Sequence, residues 1–174
     1  NKLKRGLTIA DFGCGSGCIA VALAKNLFNS KVFAFDKSDE ALEQTKANAV
    51  HNDVEVEVIK VDMTDALELN EQFDIIVSNP PYVRECEKTQ MKANVLDYEP
   101  HMALFVPNEN PLVFYQHIAS IAQSSLKTGG KLYLEINEAL GEETEVIFKN
   151  LGYKTEIRKD FRDKYRMLFA TKEF

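Results

Sequence analysis

Segments patterned as strands and segments patterned as helices alternate along almost the whole chain, and this alternation restricts the possible folds more than any other feature. Leu7 to Asp11 is a short apolar strand, and Gly17 to Phe28 is an Ala- and Leu-rich helix after a glycine loop. Lys31 to Asp36 reads as a second strand. Ser38 then N-caps a helix that runs to about His51, with Glu40 and Glu43 in its first turns. Asp53 to Val61 sets Val54, Val56 and Val58 against Glu55 and Glu57, the period-2 pattern of a half-exposed strand. Phe73 to Ser78 is the fourth strand, and residues from about Tyr82 to Asn110 form a long loop without a clear period. Pro111 sits where a helix starts, Thr128-Gly129-Gly130 ends it, and Lys131 to Ile136 is the fifth strand. Glu138 to Asn150 is a helix stopped at Leu151-Gly152. Tyr153 to Lys159 and Arg166 to Thr171 close the chain as two strands. Regular βα alternation predicts a parallel sheet with helices on both faces. The last two strands have only a few residues between them, so they pair as an antiparallel hairpin. The expected fold is α/β: a Rossmann-like, doubly wound, mostly parallel seven-stranded sheet that ends in a hairpin, built as one domain of 174 residues.

The fourth strand ends in Asn79-Pro80-Pro81-Tyr82. Neither proline has an N–H for a ladder, so the strand cannot continue through them and a rigid extended turn must follow. That turn lies at the carboxyl end of a strand, the edge where open α/β sheets bind ligands. It leaves the Asn79 side-chain carbonyl and the Pro80 carbonyl free to point at one spot. Two acceptors aimed together suit an –NH2 group, which has two hydrogens to donate.

The loop after the first strand is Asp11-Phe12-Gly13-Cys14-Gly15-Ser16-Gly17. A dinucleotide fingerprint needs G-x-G-x-x-G, but position 18 is Cys18, and no Gly-Lys-Ser/Thr marks a phosphate loop. Glycines let the backbone approach a ligand closely. Asp11 before them favours an ammonium group and opposes a pyrophosphate, which fits S-adenosylmethionine (SAM). Asp36 ends the second strand, where an acidic residue accepts hydrogen bonds from ribose hydroxyls. Asp62 ends the third, placed to face an adenine amino group with Met63 against the ring. The candidate cofactor set is therefore Asp11, Phe12, Gly13, Cys14, Gly15, Gly17, Asp36, Lys37, Asp62, Met63 and Asn79.

Composition narrows the function. No apolar run reaches the ~20 residues of a membrane-spanning helix. A formal net charge of −6 disfavours nucleic acid as the main partner, because phosphate binding usually shows as a basic face. Three cysteines are too few for a zinc site with these spacings, so they read as reduced thiols packed in a cytoplasmic protein. His51, His101 and His117 are isolated in sequence and read as structural or solvent-exposed.

Three motifs in order carry a family resemblance: the Asp11–Gly17 loop, Ser78-Asn79-Pro80-Pro81-Tyr82-Val83, and Tyr98-Glu99-Pro100-His101-Met102-Ala103-Leu104. Together they resemble the HemK/PrmC family of protein-(glutamine-N5) methyltransferases, which modify peptide chain release factors. Asn-Pro-Pro-Tyr alone is also found in adenine-N6 and guanine-N2 nucleic-acid methyltransferases; Glu-Pro-x-x-Ala-Leu is the narrower element. Glu135-Ile136 and Lys159-Asp160-Phe161 with Arg166 are similar to later family segments, whereas Asn137 and Leu140 stand where the family often has Gly and Gln. The resemblance implies a class I SAM-dependent methyltransferase fold across residues 1–174, without the family's N-terminal helical domain. It implies methylation of the glutamine in the Gly-Gly-Gln motif of release factors during translation termination, yielding S-adenosylhomocysteine, by a monomeric cytoplasmic enzyme. The acting residues would be Asn79, Pro80, Pro81 and Tyr82; Asn79, Pro80 and Tyr82 would also contact the substrate together with Glu99 and Pro100, although Glu99 read from the sequence could equally cap a turn. Two other functions compete: a nucleic-acid amino methyltransferase, and a SAM-binding scaffold without catalysis.

Overall fold

A computed structural model of the chain describes residues 6–90 and 104–174. Seven strands make one sheet: β1 (Thr8–Phe12), β2 (Lys31–Asp36), β3 (Glu57–Lys60), β4 (Phe73–Ser78), β7 (Leu126–Glu135), β8 (Tyr153–Lys159) and β9 (Tyr165–Lys172). A separate two-residue pair, β5 (Val83–Arg84) and β6 (Phe105–Val106), runs parallel beside it. The helices are α1 (Cys18–Asn26), α2 (Asp39–His51), α3 (Val113–Ser125) and α4 (Gly141–Asn150). Strand order is β3-β2-β1-β4-β7-β9-β8; β9 is antiparallel to both its neighbours and the other pairings are parallel. The doubly wound sheet and its closing hairpin are as the alternation predicts.

The chain winds outward from β1 to β3, then returns to start β4 on the other side of β1. The switch point therefore lies between β1 and β4, where a crevice opens at the carboxyl ends. The register sets Phe12 beside both Phe35 and Ser78, so the loops leaving β1, β2 and β4 emerge side by side.

Each face of the sheet buries a core. Phe12, Phe33, Phe35 and Phe73 pack beneath α3 and α4 with Tyr115, Ile118, Leu132 and Phe148. Phe12 stacks on Phe35 at 4.6 Å between centroids, and Phe73 meets Phe33 edge-on at 5.6 Å. Each such ring contributes ~1.5–3 kcal/mol by burial, with ~0.5–1.5 kcal/mol more from ring geometry. The opposite face packs Ile9, Ala20, Val32, Ala34, Leu42 and Val77 under α1 and α2.

Several boundaries differ from the sequence expectation, each for a local reason. The third strand is Glu57–Lys60, shorter than residues 53–61, because α2 has not yet released the chain. Asp53 adopts φ 58°, and Val54 N donates to Ala49 O, so this stretch satisfies helix carbonyls before any ladder. The fifth strand of the sheet begins at Leu126, not Lys131: Leu126 pairs with Phe73, and a register shift between Phe73 and Ile75 absorbs the glycines. Helix α3 starts at Val113, two residues past Pro111. Residues 138–140 form a 3-10 turn capped by the Asn137 side chain, and α4 follows from Gly141. The expected featureless loop contains β5, β6 and a 3-10 turn at Glu85–Gln90. Cys14 is buried, but Cys18 and Cys86 are exposed, contrary to the expectation of packed thiols.

Candidate functional site

The glycine loop is held open from three sides. Gly13 and Cys14 donate backbone N–H bonds to Phe35 O at 2.8 and 3.1 Å, which ties the loop to β2. Two α2 side chains grip it from above: Thr45 Oγ1 donates to Gly15 O at 2.9 Å and Asn48 Nδ2 to Ser16 O at 2.8 Å. Gly17, the N-cap of α1, has φ 76°, and a Cβ there would lie 2.6 Å from Thr45 Cγ2. Only glycine meets both the left-handed backbone and that close approach.

Asp11 lies beneath this loop, 1% exposed. Its Oδ2 accepts Ala20 N–H at 3.1 Å from the first turn of α1, while Oδ1 is buried without a partner among the described residues. Burial dominates its ionisation and pushes the carboxyl up to about 7; the Ala20 N–H works against that shift and the nearby Asp36 charge adds to it. A buried carboxylate oxygen lacking a donor fits a cationic ligand group. The charge and the open acceptor of this carboxylate are of the kind that suits the ammonium of SAM.

Asp36 bridges the loop and α2: Oδ2 accepts Gly15 N–H at 2.9 Å and Oδ1 accepts Ser38 N–H at 3.0 Å. Asp62 Oδ1 accepts the N–H and hydroxyl of Thr64 at 3.0 and 2.7 Å; these bonds hold its carboxyl below the usual range, and Lys37 at 3.9 Å adds to the effect.

A cavity of about 580 Å³ joins the glycine loop, Asp36, Asp62 and the Asn79 turn; Asp11, Phe12, Cys14, Gly17 and Pro80 of the predicted set do not line it. Its walls include Gly13, Gly15, Asp36, Lys37, Asp62, Met63, Asn79 and Pro81 from the predicted set, together with Gln44 and Phe114. The size suits a ligand of several linked groups. The Phe12 ring is in the core. Cys14 faces Thr45 at 3.6 Å rather than the cavity, and burial pushes its thiol up to about 12.

The Asn79 turn is fixed at both ends. Ser78 Oγ donates to Phe12 O at 2.6 Å, which locks the last strand residue to β1. Beyond the prolines, Tyr82 OH donates to Glu135 Oε1 at 2.7 Å, and the Arg166 guanidinium sits 5.7 Å from the Tyr82 ring centre. Burial and the Glu135 carboxylate both push the Tyr82 hydroxyl pKa up. Asn137, 5% exposed, gives one amide hydrogen to Tyr82 O at 3.0 Å and the other to Glu87 Oε2 at 2.9 Å. Asn79 between these anchors is exposed, and its side chain makes no hydrogen bond among the described residues. Glu99, Pro100 and His101 lie outside the described residues.

Sequence reasoning missed Thr45, Asn48, Phe114, Glu135 and Asn137 as parts of this site. Thr45 and Asn48 stand three apart on one helix face, a spacing visible in the sequence, but their partner is a backbone loop 30 residues away. Phe114 and Asn137 carry no local signal and come to the site only through the sheet order.

The methyltransferase small domain family model matches residues 1–98. The release factor glutamine methyltransferase of Flavobacterium psychrophilum is 48% identical over 165 residues, which is 94% of this chain and 58% of that protein. The protein of the same name from Bacteroides thetaiotaomicron is 47% identical over 166 residues, covering 94% of this chain and 60% of its own length. The chain thus spans somewhat more than half the length of these curated relatives. Among solved structures, a methyltransferase from Pyrococcus furiosus superposes with TM-score 0.71 at 22% identity, covering 99% of this chain and 78% of that one. The fold is that of the class I SAM-dependent methyltransferases. Among the described residues, no helix is long and apolar enough to cross a membrane.

Proposed function

The chain belongs to the methyltransferase small domain family, and on that premise we propose that it is the catalytic part of a SAM-dependent enzyme that methylates the side-chain amide nitrogen of a glutamine, in the Gly-Gly-Gln motif of peptide chain release factors. The observation that carries this proposal is the meeting of the glycine loop and the Asn79 turn in one cavity at the β1–β4 switch point. The release-factor assignment rests on the names of the curated relatives.

SAM, when bound, supplies a methyl group on a sulfonium, electrophilic enough for direct transfer to nitrogen. Ionised Asp11 would hold its ammonium, Asp36 its ribose hydroxyls, and Asp62 with Met63 its adenine. An amide nitrogen is a poor nucleophile because its lone pair is delocalised into the carbonyl. Asn79 Oδ1 and the Pro80 carbonyl accept its two N–H bonds and turn the lone pair toward the cavity. The same acceptors stabilise the positive charge that grows on nitrogen. Acceleration then comes from positioning and from fixed dipoles. The proton leaves after transfer, when the nitrogen has become strongly acidic, so no dedicated base is required. Pro80 and Pro81 hold the acceptors rigid, and Tyr82 anchors the turn through Glu135.

Mass spectrometry of a release factor incubated with SAM and this protein tests the proposal. One methyl on the Gly-Gly-Gln glutamine, absent with Asn79→Ala, is expected. Methylation at another residue, or no dependence on Asn79, would overturn it.

A further inference from the structure

Strand β8 runs parallel to β7, so the turn between β8 and β9 lies at the carboxyl edge of the sheet, the edge that carries the Asn79 turn. The two are physically joined: Ile136 N donates to Arg166 O at 2.8 Å, Arg166 covers the Tyr82 ring, and Lys164 Nζ meets Glu138 at 3.3 Å. At its apex Phe161 is 92% exposed and Tyr165 beside it is 48% exposed, two aromatic rings side by side on one turn. The apex is built rather than loose. Asp160 Oδ1 accepts N–H bonds from Arg162 at 2.7 Å and Lys164 at 3.0 Å, and Asp160 N donates to Lys164 O at 2.8 Å. Arg162 stacks over Phe161 at 5.4 Å and Lys159 over Tyr165 at 5.2 Å.

The charge here reverses that of the molecule. Residues 158–166 hold Arg158, Lys159, Arg162, Lys164 and Arg166 against Asp160 and Asp163, on a chain of net charge −6. Asp160 directs its carboxylate into the turn backbone, Glu156 pairs with Arg158, Asp163 with Lys159 and Glu138 with Lys164, which leaves Arg162 and Arg166 as the cations without an ion pair among the described residues of this turn. A glutamine side chain is too small to define a protein substrate by itself, since specific protein pairs cover ~800 Å² on each partner. Aromatic and arginine anchors are the residues that dominate such contacts.

We infer that the β8–β9 apex, through Phe161, Arg162 and Tyr165, docks the protein substrate on a surface that flanks the methylated glutamine and bears carboxylates around an apolar recess. This rests on the release-factor assignment proposed above. The apex grips the folded partner, while Asn79 and Pro80 hold only the reacting amide.

The test compares wild type with Phe161→Ala and Phe161→Ala/Arg162→Glu. It measures KM and kcat for a folded release factor, transfer to a short peptide containing Gly-Gly-Gln, and the Kd of the release factor by calorimetry with S-adenosylhomocysteine present. Losing an aromatic anchor should raise KM and Kd for the folded partner about 10-fold, more in the double variant. The kcat, transfer to the peptide and melting temperature should stay unchanged. Unchanged KM and Kd would overturn the inference, as would an equal loss on the short peptide. Binding without methylation in wild type would refute the proposed reaction while the Kd comparison still decides the apex. A release factor that wild type does not bind would overturn both.

Discussion

Under the proposed reading, Asp11 couples cofactor binding to stability. Holding its carboxylate ionised in the buried site costs on the order of 4 kcal/mol when no cation is present. Its folded pKa, about 7, lies above the unfolded 3.8. The stabilising contribution of the neutral acid is therefore complete below pH 3.8 and lost as pH rises through 7. Asp11→Asn should raise the melting temperature at pH 8 and flatten this part of the pH dependence, which a thermal series from pH 4 to 8 would reveal. The same variant should weaken SAM binding by about 10²-fold, since it removes one partner of a buried charge pair. Wild-type SAM affinity should fall below pH 7, and a calorimetric titration across that range checks it. Asn79→Ala should lower kcat by about 10²–10³-fold, like the loss of one preorganised polar group, while leaving SAM affinity nearly intact. A parallel loss of SAM affinity would contradict the role proposed for Asn79.

At the scale of elements, two devices hold the site in shape. The first is the α1–α2 grip on the glycine loop. Gly17→Ala places a methyl against Thr45 in a left-handed backbone and should destabilise the protein by ~1–3 kcal/mol, measured by denaturant unfolding. The second is the pair of anchors around the double proline. Asn137→Ala frees the Tyr82 carbonyl and should lower kcat about 10-fold or more, with little change in SAM Kd, because a small misplacement of the acceptors is costly. Amide exchange at Tyr82–Arg84 should quicken in step, and unchanged exchange would contradict the clamp. These elements also mark where the sequence was legible. Asp11, Asp36 and Asn79 sit at strand ends, and period and proline chemistry locate strand ends well. Asn137 and Thr45 act through backbone groups more than 29 residues away, so no local pattern marks them. The third strand was read too long because alternating valines look the same in a ladder and in a chain still leaving a helix.

Across the molecule, the sheet order makes the site. Helices α1 and α2 cover one face and α3 and α4 the other, leaving the carboxyl edge as the place where the loops after β1, β2, β3 and β4 converge. The βα alternation was readable from hydrophobic period and turn residues, and the closing hairpin from the few residues between the last two strands. The size of the cavity and the contribution of Phe114 were not, because both depend on how α3 crosses the sheet. The overall negative charge suits a protein acceptor better than a nucleic acid. The most direct test is transfer of a labelled methyl group from SAM to three acceptors: a purified release factor, its Gly-Gly-Gln→Gly-Gly-Ala variant, and an adenine-containing duplex. Label on the first alone is the predicted result; label on the duplex, or equal label on the Gly-Gly-Ala variant, would contradict glutamine methylation.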